Sequence, residues 1–190
     1  MTVATTQKMT FEEFHAYEDG TDALYELENG ELIPIYAESD INQQIAIFLL
    51  TCFFNIGVSY NRLRMKAEIV VPSRKVNVRI PDLMVYSEEL AIAMQGATRS
   101  LILLDMPPPL LVVEVVSPNQ ASRDYRYKRT EYAARGIAEY WIVDAIAQKV
   151  TVLEWVEGFY EERVYKGDQA IASPIFPELQ LTAAQVLQNC

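Results

Sequence analysis

The feature that most constrains the fold is a short apolar run at residues 110–116 (LLVVEVV), which three prolines precede and Ser117-Pro118 follows. Its β-branched residues and its short length predict a β-strand that other elements cover on both faces. A strand of this kind lies inside a sheet against which helices pack. The run therefore predicts a layered domain of the α/β (α+β) class, with a mixed sheet flanked by helices.

Apolar spacing and turn signals elsewhere predict the remaining elements. We expect one domain over residues 1–190, because no repeat, low-complexity stretch or flexible linker divides the chain. Asn29-Gly30 and Glu157-Gly158 predict a β-hairpin near each end of the chain. The predicted elements are a helix from Thr10 to about 18, strands 24–28 and 31–36, a helix 41–56, strands 58–71 and 76–86, a helix 121–135, a strand 139–143, strands 149–156 and 159–165, and a helix 182–188.

Residue counts exclude several kinds of site. His15 is the single histidine and lies in an acidic segment, which argues against a nucleophilic triad. Cys52 and Cys190 form no CxxC motif, which argues against zinc and indicates a reducing compartment. None of the seven glycines lies in a common nucleotide-phosphate loop. Carboxylates are abundant, with 26 Asp and Glu, so any bound metal should be Mg²⁺ or Mn²⁺.

Neither the opening residues nor the longest apolar stretch suggests export or membrane insertion. The opening MTVATTQKMTFEEF is polar and then acidic, unlike a secretory signal. The longest apolar stretch, residues 45–58, is interrupted by polar residues and is shorter than the roughly 20 residues of a membrane-spanning helix. We therefore expect a cytoplasmic protein with a buried helix at this stretch and no membrane contact.

Positive charge is concentrated although the net charge is −10. Residues 62–79 and 123–135 together hold eleven of the sixteen Lys and Arg side chains. This asymmetry predicts one basic face on an acidic body, which is compatible with a polyanionic ligand. Solvated charges on ordinary strand and helix surfaces are the alternative interpretation of each segment.

Two carboxylates are candidates for chemistry. Glu114 is the one charged residue in the apolar run, where an unpaired carboxylate is costly, so it should be ion-paired, protonated or bound to a cation. Asp82 follows Pro81, and a proline there suits a bulge that re-aims the next side chain. If their strands are neighbours, the two carboxylates converge at one end of the sheet, where a divalent metal would relieve their repulsion.

The alternative for these carboxylates is structural. Glu114 would then pair with a basic residue of the following helix, and Asp82 would cap or close a turn. Lys128 lies four residues after Asp124, so the two would form an ordinary pair on one helical face. A helix that directly follows the Glu114 strand packs over the sheet, however, and from there Lys128 could reach the carboxylates.

Several motifs occur together in a specific order, and the resemblance that they carry extends from about Met9 to Trp155. They resemble the family described as "putative restriction endonucleases" that is abundant in cyanobacteria, within the PD-(D/E)xK nuclease superfamily. The resemblance implies a restriction-endonuclease-like core over about residues 24–156, with an acidic Mg²⁺ site. The motifs are FEEF, LYELENGELIP, RIPDLMVY, LLVVEVVSP and SRDYRYKRTEYAARGIAEYWIVD.

The resemblance also implies metal ligands. Asp82 matches the acid that follows proline, and Glu114 matches the acid of the (D/E)xK strand, both as metal ligands. The backbone carbonyl of Val115 would be the usual third contact. Glu26 matches an early acid of the family and would complete the site through a metal or a water.

Two positions depart from the superfamily pattern. Val116 stands where the (D/E)xK motif has its lysine, and Lys128 matches a lysine that this family carries on the next helix. The resemblance implies that Lys128 supplies the missing ammonium group. Asn42 stands where many members have a histidine at the start of the long helix.

Together these roles predict a Mg²⁺- or Mn²⁺-dependent endonuclease that hydrolyses phosphodiester bonds in DNA. One alternative is a nuclease-fold module that binds or assembles without cleaving, and another is a small-molecule hydrolase that uses Asp82 and Glu114 as acid and base. Nucleases that cut both strands of a duplex commonly act as dimers, which predicts a homodimer or higher homo-oligomer. Tyr140 and Trp141 would lie in the contact between subunits or, alternatively, in the core. The predicted contacts to the DNA backbone are Arg62, Arg64, Lys66 and Arg79.

Overall fold

The computed structural model describes residues 8–118 and 121–188, with the backbone alone at 188, so the expectation for Cys190 lies outside the described residues. Each predicted helix has a counterpart, and α3 is an addition. Thr10 and Glu13 form the expected capping box of the first helix. The helices are α1 (Phe11–His15), α2 (Asp40–Asn55), α3 (Glu88–Ala93), a π-helical segment (Arg123–Lys128) that continues into α4 (Arg129–Arg135), and α5 (Ala183–Gln188).

The strands include both predicted hairpins. Asn29 and Gly30 both have positive φ, as the predicted tight turn requires, and they join the first two strands. The strands are β1 (Tyr25–Glu28), β2 (Glu31–Pro34), β3 (Leu63–Arg64), β4 (Glu68–Val71), β5 (Asn77–Arg79), β6 (Leu83–Val85), β7 (Leu101–Ile102), β8 (Leu111–Val115), β9 (Glu139–Asp144), β10 (Lys149–Val156) and β11 (Phe159–Tyr165).

The described strands form two mixed sheets, in the orders β2-β1-β5-β4-β7 and β11-β10-β9-β8-β6-β3. Neighbours are antiparallel except for the parallel pairs β4–β7 and β8–β9. Strand β8 lies between β9 and β6, and all five of its residues are buried, which confirms the predicted interior strand. The α+β class with mixed sheets and flanking helices is confirmed.

The sheet that contains β8 is covered on both faces. Ile45, Leu49 and Phe53 of α2 pack on one face together with Val113 and Trp141, and α5 extends this layer. On the other face, α4 and the first sheet pack against the alternate side chains of β6, β8 and β9. In the described part of the chain, no helix is both long enough and apolar enough to cross a membrane.

Two sequence predictions need correction, and a third is confirmed and extended. Predicted strand 58–71 is divided at Lys66, whose φ is +54°, so that β3 and β4 join different sheets. The interruption that Pro81 predicts within strand 76–86 is confirmed, and it separates β5 from β6, which also join different sheets. The predicted α-helix 121–135 is π-helical over Arg123–Lys128. At each of these two breaks, at Lys66 and around Pro81, the chain passes from one sheet to the other, and both breaks lie beside the candidate site.

Candidate active site

The ends of β6 and β8 bring Asp82 and Glu114 together. Leu83 lies opposite Val113 in this antiparallel pair, so one step further along places Asp82 opposite Glu114. Side chains that lie directly opposite each other share one face of a sheet. Both residues are buried, at 5% and 4% exposure, so the hypothesis of two converging carboxylates has the geometry that it requires.

Pro81 determines the backbone around Val115. The same register places Pro81 opposite Val115, and proline has no N–H to donate to the Val115 carbonyl. The Val115 N–H instead donates to Asp82 Oδ2 over 2.6 Å. Among the residues that the structure describes, the Val115 carbonyl has only a long contact, 3.5 Å, with the Asn42 amide nitrogen. The interrupted ladder therefore orients Asp82 and leaves a backbone oxygen beside it.

Glu114 is held by the helix that follows its strand. Lys128 Nζ lies 2.8 Å from Glu114 Oε2, and the Tyr132 hydroxyl donates to Oε1 over 2.6 Å. Asp124 and Lys128 are four residues apart and project from the same side of the helical segment, and Nζ also lies 3.2 Å from Asp124 Oδ1. Lys128 is buried, so the predicted surface pair with Asp124 is in fact a buried one.

Asp82 is held by the bend between β3 and β4. Lys66 Nζ lies 2.5 Å from Asp82 Oδ1 and 2.6 Å from Glu38 Oε1. The left-handed backbone at Lys66 is unusual for a lysine, and it coincides with the point where this side chain enters the site. Lys66, predicted as a contact to the DNA backbone, is thus placed directly beside a candidate metal ligand.

Glu26 lies at the other side of the site within a network of buried ion pairs. Its Oε2 is 3.0 Å from Arg79 and 2.7 Å from Arg123, and its Oε1 is 3.6 Å from Lys128 Nζ. Arg79 also pairs with Glu131. Burial raises the pKa of Glu26, but the positive charges of Lys128, Arg79 and Arg123 together lower it to about 2. Glu26 is therefore ionised at neutral pH.

These residues line one open cleft of about 440 Å³. Its charged side chains are five carboxylates (Glu26, Glu38, Asp82, Glu114 and Asp124) and three cations (Lys66, Arg123 and Lys128). With every group ionised, the cleft carries two negative charges in excess. This surplus equals the charge of one divalent cation.

The pKa shifts reflect this crowding of carboxylates. Burial raises the pKa of Glu114, the charges of Asp124 and Asp82 raise it further, and Lys128 only partly opposes them. Burial also raises the pKa of Glu38, to about 7, and the neighbouring Asp82 adds to the shift. Burial opposes ionisation of Asp82 as well, but hydrogen bonds from Glu38 and Lys66 and the charge of Lys66 keep its pKa below the usual range.

The donor set suits a hard cation. Among the described residues, no group of three or more His, Cys, Asp or Glu side chains is arranged to hold a metal by itself. Mg²⁺ commonly uses one or two carboxylates and retains several waters, so two carboxylates and a carbonyl are sufficient for it. A carboxylate has about four lone-pair sites. Glu114 uses two of them for Tyr132 and Lys128, and Asp82 uses three for Lys66, Glu38 and the Val115 N–H. Asp82, Glu114 and the Val115 carbonyl are therefore suitable ligands.

Three of the predicted DNA contacts lie away from the cleft. Arg79 is fully buried among glutamates and has no surface from which to reach a phosphate. Arg62 donates to the Tyr86 carbonyl, and Arg64 lies over the Tyr86 ring, so both lie towards the opposite end of β6. Tyr140 and Trp141 are fully buried, so they belong to the core and not to a subunit contact.

Sequence reasoning missed four residues of the site. Glu38 lies in the connection between β2 and α2, and Tyr132 lies in α4 in an otherwise apolar environment. Arg123 was counted only as part of the basic segment 123–135, and Asp124 only as the expected partner of Lys128. The spacing from Asp124 to Lys128 to Tyr132, four residues each time, was the available signal, because it aligns these side chains over Glu114.

Comparisons with known proteins identify the family and the fold of the chain. A family model described as "Putative restriction endonuclease", that of the Uma2 family, matches residues 11–184. The chain belongs to the Uma2 family. The match includes every residue of the cleft described above, and it supports a nuclease. No curated protein matches the Uma2 chain.

A solved structure shows the same fold. It is a crystal structure described as a putative nuclease of the DUF820 group from Anabaena variabilis ATCC 29413. The alignment has a TM-score of 0.76 and covers 95% of this Uma2 chain and 98% of the other, at 16% sequence identity. The likeness establishes that the two chains share a fold over nearly their whole length.

Proposed function

We propose that the protein is a Mg²⁺-dependent endonuclease that hydrolyses phosphodiester bonds in DNA. The observation that carries this proposal is the placement of Asp82 opposite Glu114 in a cleft that five carboxylates and three cations line. The family and the fold support a nuclease, and the acidic cleft supplies the ligand chemistry that metal-dependent phosphodiester hydrolysis uses.

Each residue of the cleft has a definite task in this proposal. Asp82, Glu114 and the Val115 carbonyl would hold Mg²⁺ or Mn²⁺, which supplies Lewis-acid activation of the phosphate and a more acidic bound water. The Asp82 carboxylate is oriented by the Val115 N–H, and Glu114 is oriented by the Tyr132 hydroxyl. These hydrogen bonds fix the ligands before the metal binds, which reduces the cost of organising the site.

Lys128 would take the place of the lysine that the strand lacks at Val116. Its ammonium group is 2.8 Å from Glu114 and reaches the cleft from a helix instead of from the strand. There it would orient the attacking water or stabilise negative charge on the phosphate as the bond breaks. Glu26, 3.6 Å from the same ammonium, would keep Lys128 protonated and in position.

The experiment is cleavage of plasmid and single-stranded DNA with Mg²⁺, with Mn²⁺ and with EDTA. Wild type is compared with Asp82→Asn and Glu114→Gln, and the matched control is Asp105→Asn, a change at an exposed aspartate outside the cleft. We expect metal-dependent cutting by wild type and Asp105→Asn and none by the other two variants.

Other outcomes would contradict the proposal. Equal cutting by all four proteins would show that another site or a contaminant acts. Hydrolysis of a small phosphodiester in EDTA would favour acid–base chemistry by Asp82 and Glu114. DNA binding without cutting and without metal binding would favour a nuclease fold that serves as a binding module.

We also propose a homodimer or a higher homo-oligomer, because cutting both strands of a duplex commonly uses two copies of a site. Light scattering during size-exclusion chromatography measures the assembled mass directly. A monomeric mass would contradict this part of the proposal without affecting the cleavage chemistry.

A further inference from the structure

Most cations of the chain already have partners. Of the sixteen Lys and Arg side chains, all in described residues, twelve contact a carboxylate, a backbone carbonyl or an aromatic ring. Four side chains have no such partner among the described residues, and they are Arg74, Lys75, Arg126 and Lys166. In a protein of net charge −10, unpaired cations are the groups best able to attract an anion.

Two of these four cations line a second cleft. Arg74 and Lys75 are exposed in the turn between β4 and β5, at the edge of a cleft of about 580 Å³. Neither Arg126 nor Lys166 lines this cleft or the acidic one. The second cleft adjoins the acidic cleft, since the Ile33 side of β2 lines both.

The turn that carries Arg74 and Lys75 is fixed relative to the acidic cleft. Asn77, two residues after Lys75, accepts a hydrogen bond from the Asn29 backbone N–H and donates to Glu131, which also pairs with Arg79. The carboxylates nearby are already engaged: Glu28 pairs with Arg79 and Arg123, and Glu31 lies 3.9 Å from Lys8. The charges of Arg74 and Lys75 are therefore not cancelled locally.

A nucleic-acid strand could contact both clefts. β5 (Asn77–Arg79) begins two residues after Lys75 and ends at Arg79, which pairs with Glu26 of the acidic cleft. Because the two clefts meet at Ile33, a DNA strand whose reacting phosphate lies in the acidic cleft would place a further phosphate of its backbone near this turn.

We propose that Arg74 and Lys75 form a phosphate-binding site that anchors the DNA backbone on the β1–β2 side of the acidic cleft. This inference rests on the proposed function only in taking DNA as the ligand. Arg74 and Lys75 would make the backbone contacts that the sequence assigned to Arg79, Arg62 and Arg64. Arg79 is buried, and Arg62 and Arg64 lie away from the cleft. Contacts to the backbone position DNA without reading its sequence, so the anchor acts on all sequences alike.

The test is the affinity for a fluorescein-labelled duplex of mixed sequence, measured by fluorescence anisotropy in EDTA over a range of NaCl concentrations. The variant is Arg74→Ala/Lys75→Ala. The matched control is Arg163→Ala/Lys166→Ala, which removes the same two charges from the β11 end of the chain. At low salt we expect the anchor variant to bind roughly tenfold more weakly, and its log Kd to depend on log [NaCl] with a slope smaller by about 1.8, which is two phosphate contacts at 0.9 each.

The results separate the anchor from the proposed nuclease. The anchor is contradicted if its variant keeps the wild-type affinity and salt slope, if both double variants weaken binding equally, or if wild type does not bind the duplex. Metal-dependent cleavage that needs Asp82 but not Arg74 and Lys75 would support the proposed nuclease and contradict the anchor. If the anchor variant has a smaller salt slope but the wild-type protein cuts no DNA, the anchor is supported and the proposed nuclease is contradicted.

Discussion

Two buried glutamates on adjacent strands have different surroundings. Glu114 of β8 contacts a lysine and a tyrosine hydroxyl, and it lies at the edge of a cleft that four other carboxylates line. Glu139 of β9 lies at the opposite end of the sheet, across from Leu111. Among the described residues, its partners are the Trp141 indole N–H, the Ser173 hydroxyl at 3.0 Å and the Ile175 N–H at 3.1 Å, with no cation.

The difference shows what separates a candidate site from a structural carboxylate. Both residues are buried charges in strands that are otherwise mostly apolar, and burial raises the pKa of both. Glu139 uses neutral donors to attach the segment around Ser173 to the sheet. Glu114 is surrounded by like charges and by a cleft with room for a ligand. Convergence of carboxylates at an open cleft, and not burial alone, therefore distinguishes the candidate site from a structural carboxylate.

The largest expected effect is a loss of DNA cleavage when Glu114, but not Glu139, is replaced. Glu114→Gln should lower the rate of metal-dependent DNA cleavage by about 10³-fold or more, because a bound metal contributes several kcal/mol to stabilising charge in the transition state. Glu139→Gln should change that rate less than about tenfold, because its effect is on packing. Initial rates at saturating Mg²⁺ measure both, and similar losses in the two variants would invalidate the comparison.

The next effect concerns the cation beside Glu114. Lys128→Met leaves Glu114, Glu26 and Asp124 without their shared positive charge, so the free energy of unfolding should fall by about 3 kcal/mol. Millimolar Mg²⁺ should restore part of this loss, because it can supply the missing charge. Urea unfolding with and without Mg²⁺ measures both quantities. An unchanged stability would show that Lys128 does not compensate the cluster.

A smaller effect is expected when the hydroxyl group that donates to each glutamate is removed. Tyr132→Phe removes the donor to Glu114, and Ser173→Ala removes a donor to Glu139. Each should lower the free energy of unfolding by about 1–2 kcal/mol. Only Tyr132→Phe should also raise the Mg²⁺ concentration needed for half-maximal cleavage, by about tenfold. If both variants need the same Mg²⁺ concentration for half-maximal cleavage, Tyr132 does not help to position the proposed metal ligands.

The smallest effect is a pH dependence at Glu139. Burial raises the pKa of Glu139 in the folded protein, so this group favours the folded state below its unfolded pKa of about 4.3 and loses that contribution as the pH rises through the folded pKa. Glu139→Gln cannot ionise, and its Tm should therefore fall less than that of wild type across this window. Thermal unfolding over a pH series tests this, and identical profiles would contradict it.

The sequence contained enough to predict the central part of the site. The run at residues 110–116 predicted an interior strand, and Glu114 was conspicuous within it. Pro81 predicted a break before Asp82, and in the structure this proline leaves the Val115 carbonyl without a donor from β6. The two hairpins followed from local turn chemistry, which depends on two adjacent residues and is therefore readable from sequence.

Other features depend on distant parts of the chain and could not be read locally. Lys66 adopts a left-handed backbone conformation without the glycine or asparagine that signals one, so the division between β3 and β4 was not visible. Arg79 resembled a surface cation because its partners, Glu26 and Glu131, lie about fifty residues away on each side. Glu38 enters the site only because the Lys66 bend brings an ammonium group to it.

The most direct test of the central claim is the binding of Mn²⁺ in the absence of DNA, measured by electron paramagnetic resonance. We predict that wild type and Glu139→Gln each bind one ion per chain in the cleft of Asp82 and Glu114, and that Glu114→Gln binds it far more weakly. Equal binding by Glu114→Gln, or no binding by wild type, would contradict the claim that the surplus of negative charge in this cleft serves a divalent cation.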